Sequence, residues 1–421
     1  MSVVRKTLTL REAQKLSLPR TFTTLVKPVG SRCNMRCSYC YYLDKALLYD
    51  MSPKTVMSDA VLRTYIKDFI AANDVDTVNF CWHGGEPLMA GMEFYERALF
   101  YQEKYRGDKR IENTLQTNGL LLNEKWAKFF RAHNFLLGVS LDGPEDIHDA
   151  YRKDAGSRPT FSRVMRGIEF LKAEGTDFNT LSVVNDKCAG RGKEVYNFFK
   201  SIGSNFMQFL PAVEFISHEE LRQFGGRGRI LSPEDSEAGA LSPWSTEPLA
   251  FGQYMCDIFD EWRVRDIGEY YVQLFDVTLA NWHGEQPGLC AYAKSCGDGL
   301  AVEHNGDVYS CDHFVYPEYK LGNIMTSKMG EMYRSTRQFD FGVSKRNGLP
   351  DNCLNCDFYH LCNGGCPKHR FRSTADELQK NYLCEGYKLF FEHTAPYMKR
   401  MSELIHLKQA PSLIMTEDIK A

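Results

Sequence analysis

The sequence predicts an α/β protein in which a partial (β/α)6 barrel precedes a cysteine-rich domain and a C-terminal helix. Six short runs of strand-forming residues alternate with amphipathic helical segments in the first half of the chain. This alternation favours a parallel sheet with right-handed crossovers, and six repeats suit an open or partial barrel better than a flat sheet. Regular periodicity is then lost after residue 290, and eight of the 14 cysteines lie between residues 290 and 384.

Each strand of the predicted barrel is a short, mostly apolar run. The predicted strands are Thr23–Val29, Thr77–Trp82, Glu112–Gln116, Phe135–Ser140, Asn179–Val184 and Phe206–Leu210. The clearest helices between them are Phe161–Glu174 and Glu194–Ile202. In the first of these, apolar residues recur at the i, i+3, i+4, i+7 spacing of one helix face.

The second half of the chain is less regular. Residues 214–248 are rich in Gly, Ser, Pro and charge, which predicts a long loop. Helical periodicity returns at Leu249–Arg265, and a final helix is predicted at about Tyr387–Leu407, followed by a frayed end. We therefore expect five segments, which are an N-terminal extension (1–22), the barrel with its 214–248 insertion (23–250), a helical linker (251–289), the cysteine-rich domain (290–387), and the C-terminal helix and tail (388–421).

Charge and composition exclude several classes of protein. With 51 Lys and Arg against 54 Asp and Glu, the formal net charge is −3, which is unlike the basic excess of nucleic-acid-binding proteins. No run of about 18 apolar residues predicts a membrane span, and residues 1–20 lack the apolar core of a signal peptide. We expect a cytoplasmic protein without nucleic-acid or membrane partners, whose cysteines are metal ligands or catalytic thiols rather than disulfides.

Cys33, Cys37 and Cys40 form a Cys-x3-Cys-x2-Cys motif directly after the first predicted strand. Three thiols do not fill the four-ligand shell of a structural zinc site. A four-iron cluster held by only three thiolates leaves one iron open to an outside ligand. An open iron beside a pocket is a catalytic arrangement, whereas the alternative is a zinc site completed by a distant ligand such as His83.

This motif, with the aromatic Tyr39 before its last cysteine, resembles that of the radical S-adenosylmethionine (SAM) superfamily. In that family the open iron binds the amino and carboxylate groups of SAM. Residues 82–87 (Trp-His-Gly-Gly-Glu-Pro) resemble the family's Gly-Gly-Glu-Pro segment, which holds the SAM amino group, and paired glycines let a backbone approach a ligand closely. This segment, residues 116–119 (Gln-Thr-Asn-Gly) and residues 140–143 (Ser-Leu-Asp-Gly) all follow predicted strands, at the ends where such barrels place their chemistry.

The resemblance implies a set of SAM contacts. It assigns the amino group to Gly84, Gly85 and Glu86, the carboxylate or ribose to Ser140 and Arg152, and the surroundings of the adenine to Tyr39 and Leu210. Without the resemblance, the Gly-Gly-Glu-Pro segment would be an ordinary turn, Ser140 a cap at a strand end, and Arg152 a solvated helix charge.

The eight cysteines after residue 290 are enough for two four-thiolate sites, either iron–sulfur or zinc. Their spacing, with its Cys-x2-Cys-x5-Cys-x3-Cys run, resembles the SPASM extension of peptide-modifying radical SAM enzymes, and most closely the anaerobic sulfatase-maturating enzymes. The similarity covers roughly Thr23 to Tyr387. It implies an inner cluster on Cys290, Cys296, Cys311 and Cys366 and an outer cluster on Cys353, Cys356, Cys362 and Cys384.

Three cysteines fall outside both motifs. Cys81, Cys188 and Cys256 lie in apolar periodic segments. We expect them to be core thiols, because free cysteine commonly behaves as a small hydrophobe.

Asp312 directly follows Cys311. In the sulfatase-maturating enzymes the matching Asp is the base. Once a hydrogen atom has left the substrate carbon, the neighbouring hydroxyl or thiol must lose a proton, and a carboxylate beside it can accept that proton. The alternatives are that His313 is the base, or that Asp312 is a hydrogen-bonded turn residue near a metal site.

The resemblance thus implies a radical SAM oxidoreductase that oxidises a Cys or Ser of a sulfatase to formylglycine (3-oxoalanine) under anaerobic conditions. The implied cofactors are SAM and three [4Fe-4S] clusters. The implied partners are an unfolded sulfatase segment of the Cys/Ser-x-Pro-x-Arg type and a reduced flavodoxin- or ferredoxin-like electron donor. The long loop contains acidic residues that either bind the substrate Arg or are solvated. They are Glu214, Glu219, Glu220, Asp235 and Glu237.

Two alternatives stay open. Another SPASM enzyme, which makes thioether or carbon–carbon crosslinks in a small peptide, would use the same clusters. Such enzymes usually carry a peptide-recognition domain before the barrel, and 22 residues are too short for one. A zinc-binding adaptor without catalysis would contain zinc and no iron.

Overall fold

The computed structural model describes residues 21–49, 52, 54–217, 230–231, 239–373 and 378–419. Its first six strands lie at the six predicted positions, although β1 ends at Val26 and not at Val29, and helices separate them, which confirms the α/β class. The strands are β1 (Thr23–Val26), β2 (Thr77–Trp82), β3 (Arg110–Thr117), β4 (Phe135–Ser140), β5 (Phe178–Val184) and β6 (Phe206–Pro211). The helices are α1 (Asp59–Ala72), α2 (Met92–Tyr105), α3 (Glu124–Ala132), α4 (Glu145–Tyr151), α5 (Phe161–Ala173) and α6 (Gly192–Ser201).

The second half contains shorter strands and two long helices. The strands are β7 (Phe215–Ser217), β8 (Gly239–Leu241), β9 (Tyr271–Val272), β10 (Gly299–Val302), β11 (Asp307–Tyr309), β12 (Lys320–Asn323), β13 (Arg370–Ser373) and β14 (Gln379–Asn381). The helices are α7 (Pro248–Arg265), α8 (Gln273–His283), α9 (Met329–Tyr333), α10 (Thr336–Asn347), α11 (Asp351–Leu354), α12 (Tyr359–Cys362) and α13 (Cys384–His406). Short 3-10 turns lie at Leu43–Leu48, Pro87–Ala90, Asp186–Cys188, Cys290–Tyr292, Asp312–Phe314, Pro317–Tyr319, Pro367–His369 and Pro411–Thr416.

Contacts divide the chain into two compact units that interleave along the sequence. The first unit comprises Met1–Val139, Lys153–Asp177 and Ser295–Asn347, and the second comprises Ser140–Arg152, Phe178–Lys294 and Gly348–Ala421. The five segments expected from the sequence remain predictions. They follow changes in periodicity and composition along the chain, whereas the two units are defined by contacts between residues.

The first unit is built on a sheet with the strand order β12-β11-β10-β1-β2-β3-β4. Strands β1 to β4 are parallel, and β10 joins β1 in parallel with Thr23 opposite Gly299. The core is aromatic: Trp82 packs edge-to-face on Phe94 and Tyr95, with ring centroids 5.8 and 5.7 Å apart. This packing fixes the carboxyl ends of the strands, from which the site is built.

The second unit holds β5, β6 and β9 as parallel neighbours, with helices α7 and α13 packed together. A Cβ on Gly252 of α7 would lie 2.5 Å from the carbonyl oxygen of Gly386 in α13. Glycine therefore lets the two helix backbones approach each other closely.

Three expectations for the second half need revision or stay open. The loss of periodicity after residue 290 hid β10 to β12, since strands of three or four residues are too short to show alternation. The frayed end is wrong, because Pro411–Thr416 forms a 3-10 turn with Ile414 only 5% exposed. In the 214–248 insertion, β7 pairs with β8 in antiparallel fashion, and residues 218–229 and 232–238 lie outside the described residues, as do residues 1–20.

Within the described ranges, no helix combines the length and the apolar composition needed to cross a lipid bilayer.

Candidate functional site

The three-cysteine motif lies in the first unit on a run of turns after β1, called here the cluster loop (residues 30–40). Burial, followed by the negative charges of Glu86, Cys37 and Cys40, raises the pKa of Cys33. The three cysteines therefore lie within electrostatic reach of each other, with Cys37 buried and Cys33 and Cys40 half-buried, and ionisation of one thiol disfavours ionisation of the others. A bound cationic group would relieve this mutual repulsion of the thiolates.

Two nitrogen donors point at the first of these sulfurs. Cys33 Sγ accepts hydrogen bonds from the backbone N–H of Met35 at 3.3 Å and from Asn118 Nδ2 at 3.5 Å. Asn118 lies directly after β3 and also donates to Asn34 Oδ1 at 2.7 Å. Hydrogen bonds to the sulfurs are a usual feature of iron–sulfur sites.

The glycine-rich loop after β2 is fastened to the cluster loop. The backbone N–H of Gly85 donates to Gly30 O and that of Glu86 to Arg32 O, both at 2.9 Å. A Cβ on Gly85 would lie 2.1 Å from the Arg32 carbonyl oxygen, and Gly84 has a φ of +120°. The glycines are thus required for contact between two protein backbones, whereas the sequence reasoning attributed them to close approach of a ligand.

The Glu86 side chain is fully buried, and its carboxylate is engaged by the protein. Oε1 accepts from the Leu88 N–H at 3.0 Å and from Thr117 Oγ1 at 2.9 Å, and Oε2 accepts from the Asn118 N–H at 2.7 Å. Burial raises the pKa of Glu86 to about 7, although these bonds oppose the rise. Glu86 therefore ties the end of β3 to the glycine loop.

The other predicted SAM contacts lie in both units. Tyr39 in the first unit is buried, at 7% exposure. In the second unit, Ser140 and Leu210 are half-buried in β4 and β6. Arg152 is 5% exposed, and its Nε forms an ion pair with Asp142 Oδ1 at 2.9 Å, so the alternative that it is a solvated charge is wrong.

Asp312 lies in the first unit and begins a 3-10 turn after β11. The Tyr41 hydroxyl donates to Oδ2, and the Lys27 ammonium forms an ion pair with Oδ1. Burial would raise the pKa of Asp312, but the Lys27 charge, with lesser contributions from His83 and His313, holds this pKa well below its usual range. Asp312 is therefore a buried carboxylate that stays ionised at neutral pH.

His83 belongs to the same group of side chains. Its Nδ1 accepts hydrogen bonds from Lys27 Nζ at 3.1 Å and from the Gly84 N–H at 2.8 Å. Burial, and then the charge of Lys27, lowers the pKa of His83 to about 4. Since this ring nitrogen already serves two donors, the geometry argues against His83 as a zinc ligand through Nδ1.

Lys27 and Tyr41 were missed by the sequence reasoning. Lys27 is 0% exposed and lies 4.4 Å from the ring centroid of Tyr42, whose hydroxyl donates to Glu303. One signal was available, because Lys27 is the only charge in the apolar run 23–29. A charged side chain within such a run is either exposed or paired.

Helix α10 fixes two of the predicted inner ligands in the first unit. The buried Gln338 donates through Nε2 to Gly297 O at 2.6 Å and to Ser310 O at 3.2 Å. These two carbonyls lie one residue from Cys296 and Cys311. Gln338 thus holds both cysteine-bearing segments to one helix.

A left-handed turn orders the cysteines of the second unit. Residues 363–365 (Asn-Gly-Gly), between Cys362 and Cys366, have φ values of +46°, +76° and +63°. A Cβ on Gly364 would lie 2.2 Å from Leu349 Cδ2, so glycine is required there. Asn381 Nδ2 also donates to the carbonyl oxygen of Cys366 at 3.3 Å.

Members of the predicted outer set lie close to one another. Burial, and then the charge of Cys384, raises the pKa of Cys353 to about 11. Burial likewise raises the pKa of Cys384, on which Cys356 also acts. The other predicted inner ligands, Cys290 and Cys366, belong to the second unit.

The donor sets consist of thiols, three in the cluster loop and eight after residue 290, and thiolates are the usual ligands of iron–sulfur clusters. In the part of the chain that the structure describes, no three His, Cys, Asp or Glu side chains are grouped to hold one metal ion. In a four-iron cluster each thiolate binds a different iron, so its ligands stand further apart than those of one zinc ion. All 14 cysteines lie in described residues, and none forms a disulfide.

One of the three cysteines outside the cluster sets differs from expectation. Cys188 and Cys256 are buried as predicted, but Cys81 is half-buried and within electrostatic reach of Lys27 and Asp312.

Glu214 is buried and forms an ion pair with Lys368, Nζ to Oε1 at 2.5 Å, so it is not a solvated loop charge. The other acidic residues of that loop, Glu219, Glu220, Asp235 and Glu237, lie outside the described residues.

Comparison with known families gives two matches along the chain. Residues 28–186 match the radical SAM superfamily, and residues 290–357 match an iron–sulfur cluster-binding domain of the SPASM type. The first match contains the cluster loop and the glycine loop, and the second contains Asp312.

Known proteins resemble nearly the whole chain. A serine-type anaerobic sulfatase-maturating enzyme of Bacteroides thetaiotaomicron is 49% identical over 93% of this chain and 94% of the relative. A cysteine-type enzyme of Clostridium perfringens is 32% identical over 88% and 96%. The solved structure of anSMEcpe with bound AdoMet and a Cp18Cys peptide matches with a TM-score of 0.77 at 30% identity, and covers 91% of this chain and 99% of that one.

Proposed function

This chain belongs to the anaerobic sulfatase-maturating enzymes, which are radical SAM oxidoreductases, and we propose that it oxidises a serine or cysteine of a sulfatase polypeptide to formylglycine. One observation carries the proposal for the chemistry. Tyr41 directly follows the last cysteine of the cluster loop, and its hydroxyl donates to Asp312. The cluster ligands and an ionised buried carboxylate are therefore neighbours within one unit.

The chain uses SAM and iron–sulfur clusters. When bound, these groups supply the radical that removes one hydrogen atom from the substrate β-carbon. We assign the first cluster to Cys33, Cys37 and Cys40. The two four-thiolate sets expected from the sequence, with three clusters in all, are part of the proposal.

Asp312 is assigned as the base. The oxidation of a serine side chain to an aldehyde removes two hydrogens, the first as an atom and the second as a proton with one electron left behind. Asp312 Oδ1 or Oδ2 accepts the proton from the substrate hydroxyl or thiol. The remaining electron would leave through an auxiliary cluster, which the cysteines after residue 290 would hold. The support for this role is that Asp312 is buried and that each of its oxygens has a partner, Tyr41 on Oδ2 and Lys27 on Oδ1.

The cofactor contacts are proposed on the positions of the strand ends. Gly84, Gly85 and Glu86 are kept as the contacts of the SAM amino group, since three protein donors leave about one lone-pair position on the Glu86 carboxylate. Tyr39, Ser140, Arg152 and Leu210 are kept as contacts of the remaining parts of SAM. The ion pair with Asp142 orients the guanidinium of Arg152 for such a role.

The substrate is proposed to be an unfolded segment of the Cys/Ser-x-Pro-x-Arg type. A relative that is 49% identical is named a serine-type enzyme, which favours serine as one target residue here. A reduced flavodoxin- or ferredoxin-like protein is the proposed electron donor. A cytoplasmic location is also part of the proposal and rests on cysteine usage, since cluster ligands must stay reduced.

The test is an anaerobic incubation of the reduced, iron-loaded protein with SAM and matched Ser and Cys peptides, followed by mass analysis. We expect the Ser peptide to lose two hydrogens. The Cys peptide should lose two hydrogens to give a thioaldehyde, which water converts to the same aldehyde with release of hydrogen sulfide. The iron content should be about 12 per chain, four for each cluster. Stoichiometric zinc without iron would overturn the proposal in favour of an adaptor, and a crosslinked peptide would favour another SPASM enzyme.

A further inference from the structure

We propose that Tyr41 and Lys27 are positioning residues that hold the two oxygens of the Asp312 carboxylate in a fixed orientation toward the substrate side chain. The inference rests on the proposed function, in which Asp312 accepts the substrate proton. It concerns residues that neither the motifs nor the comparisons assign to the site.

The first contact is made by Tyr41 on Oδ2. The Tyr41 ring stands edge-on to the rings of His313, with centroids 5.1 Å apart, and of Tyr42, with centroids 5.9 Å apart. Two perpendicular neighbours leave the phenol little freedom to turn. Its hydroxyl therefore marks a fixed point for Oδ2.

The second contact is made by Lys27 on Oδ1. Its side chain is fully buried, and its ammonium is also bonded to His83 Nδ1 at 3.1 Å and lies over the ring of Tyr42. A buried charge is tolerated only when it is paired and hydrogen-bonded. These contacts hold the Lys27 ammonium in one position, and its ion pair with Oδ1 in turn holds that oxygen of Asp312.

The two contacts leave room for a substrate. An ionised carboxylate offers about four lone-pair positions, two on each oxygen. Tyr41 takes one of these positions on Oδ2, and the Lys27 ammonium is ion-paired with Oδ1, so the two groups together set the plane of the carboxylate. The remaining positions are then fixed in direction, and a displacement of a reacting group by about 1 Å can cost roughly a hundredfold in rate.

The same buried cluster provides a matched control. The Tyr49 hydroxyl donates to the Tyr309 hydroxyl at 2.5 Å, and both rings lie with Tyr42 in one apolar cluster. Tyr49→Phe removes one phenolic hydroxyl from the same surroundings as Tyr41→Phe does. It differs only in that its partner is not the Asp312 carboxylate.

The experiment compares the iron-loaded wild type with Tyr41→Phe, Lys27→Met, Lys27→Arg and Tyr49→Phe. For each protein, formylglycine and 5′-deoxyadenosine are counted, and the peptide dissociation constant is measured without SAM. We expect Tyr41→Phe and Lys27→Met to lower kcat for the aldehyde by about tenfold or more, with unchanged peptide affinity. The number of SAM molecules cleaved per aldehyde should rise by the same factor, because radical formation does not depend on Asp312.

The control variants and Asp312→Asn separate the possible failures. Lys27→Arg should cleave fewer SAM molecules per aldehyde than Lys27→Met, and Tyr49→Phe should have the same ratio as the wild type. The inference is overturned if Tyr41→Phe and Lys27→Met both cleave as few SAM molecules per aldehyde as the wild type. It is also overturned if Tyr49→Phe raises this ratio as much as Tyr41→Phe does. If Lys27→Met fails to fold, Tyr41→Phe and Lys27→Arg decide alone. Wild-type aldehyde yield from Asp312→Asn would instead overturn the base assignment itself.

Discussion

Asp312 is the proposed base for the proton step. Asparagine has nearly the same shape and still bonds to Tyr41, but it cannot accept a proton from a hydroxyl or thiol. We expect Asp312→Asn to lower the aldehyde yield by about a hundredfold or more, as is usual when a general base is lost. SAM cleavage should continue, and both products are measured in one reaction.

A matched control for this substitution is Asp298→Asn. Asp298 is half-buried and accepts a hydrogen bond from Tyr333 at 2.9 Å. It should leave the aldehyde yield unchanged. Equal losses in the two variants would mean that a missing buried charge, and not a missing base, explains the effect.

His83 gives the site a dependence on pH. Its pKa falls from an ordinary value of about 6.5 to about 4, first through burial and then through Lys27. Between pH 6.5 and 4, His83 is protonated in the unfolded chain but not in the folded chain. Its contribution to the free energy of unfolding is therefore complete above pH 6.5 and is lost as the pH falls toward 4. The difference between the two pKa values of His83 corresponds to about 3 kcal/mol of unfolding free energy.

His83→Gln should remove that dependence, because glutamine can accept the Lys27 hydrogen bond without titrating. Thermal unfolding of the iron-loaded protein, measured anaerobically from pH 7.5 to 4.5, should show a smaller loss of Tm for His83→Gln than for the wild type. The exposed His406→Gln serves as the control and should follow the wild type. Parallel curves for all three proteins would contradict the assignment.

At the scale of elements, the fastening of the glycine loop to the cluster loop has a direct consequence. In Gly85→Ala the new Cβ would meet the Arg32 carbonyl at 2.1 Å, and backbone atoms cannot move aside without shifting the cluster loop. We expect a stability loss of roughly 1–3 kcal/mol from the overpacking. We also expect about four irons fewer per chain, measured by iron analysis.

Gly156→Ala is the matching substitution at a permissive position. Its Cβ would meet nothing nearer than Asp154 Oδ1 at 3.4 Å, which is an ordinary contact. Its iron content should equal that of the wild type. If Gly85→Ala also keeps full iron and binds SAM, the contact between the two loops does not organise the cluster.

The barrel elements could be predicted because each carries its own signal. Strands β2 and β4 occupy the predicted residues to the last position, since their apolar runs end sharply at polar or glycine-rich turns. The short strand β10 gave no such signal. It is defined by pairing with β1 across more than 270 residues, which no local pattern records.

The positions of Lys27 and Tyr41 could not be derived for the same reason. Each is an unremarkable residue beside a strand or a cysteine, and each acquires its role from Asp312, far along the chain. Glu86 shows the converse case. The motif predicted its importance, but only the contacts show that its carboxylate bonds to Thr117 and Asn118 of the protein itself.

At the scale of the whole molecule, the proposed clusters differ in what they contribute. In the proposed assignment, the three-thiolate site would supply the radical, whereas the four-thiolate sites would have no open iron and would serve as electron carriers. The predicted ligands of the two kinds of site come from separate parts of the chain, residues 33–40 and 290–384. The sites should therefore load independently, and removal of one kind should leave the other intact.

The simultaneous replacement of Cys33, Cys37 and Cys40 by Ala tests this independence. The variant should retain about eight irons per chain, four for each remaining cluster, and should cleave no SAM. Circular dichroism and peptide affinity should match the wild type, because the substitutions remove thiols and leave the backbone hydrogen bonds between the cluster loop and the glycine loop in place. Retained SAM cleavage would refute the assignment of the three-thiolate site. A loss of all iron would show instead that the auxiliary clusters assemble only after the first, so that the ligand sets form one cooperative system.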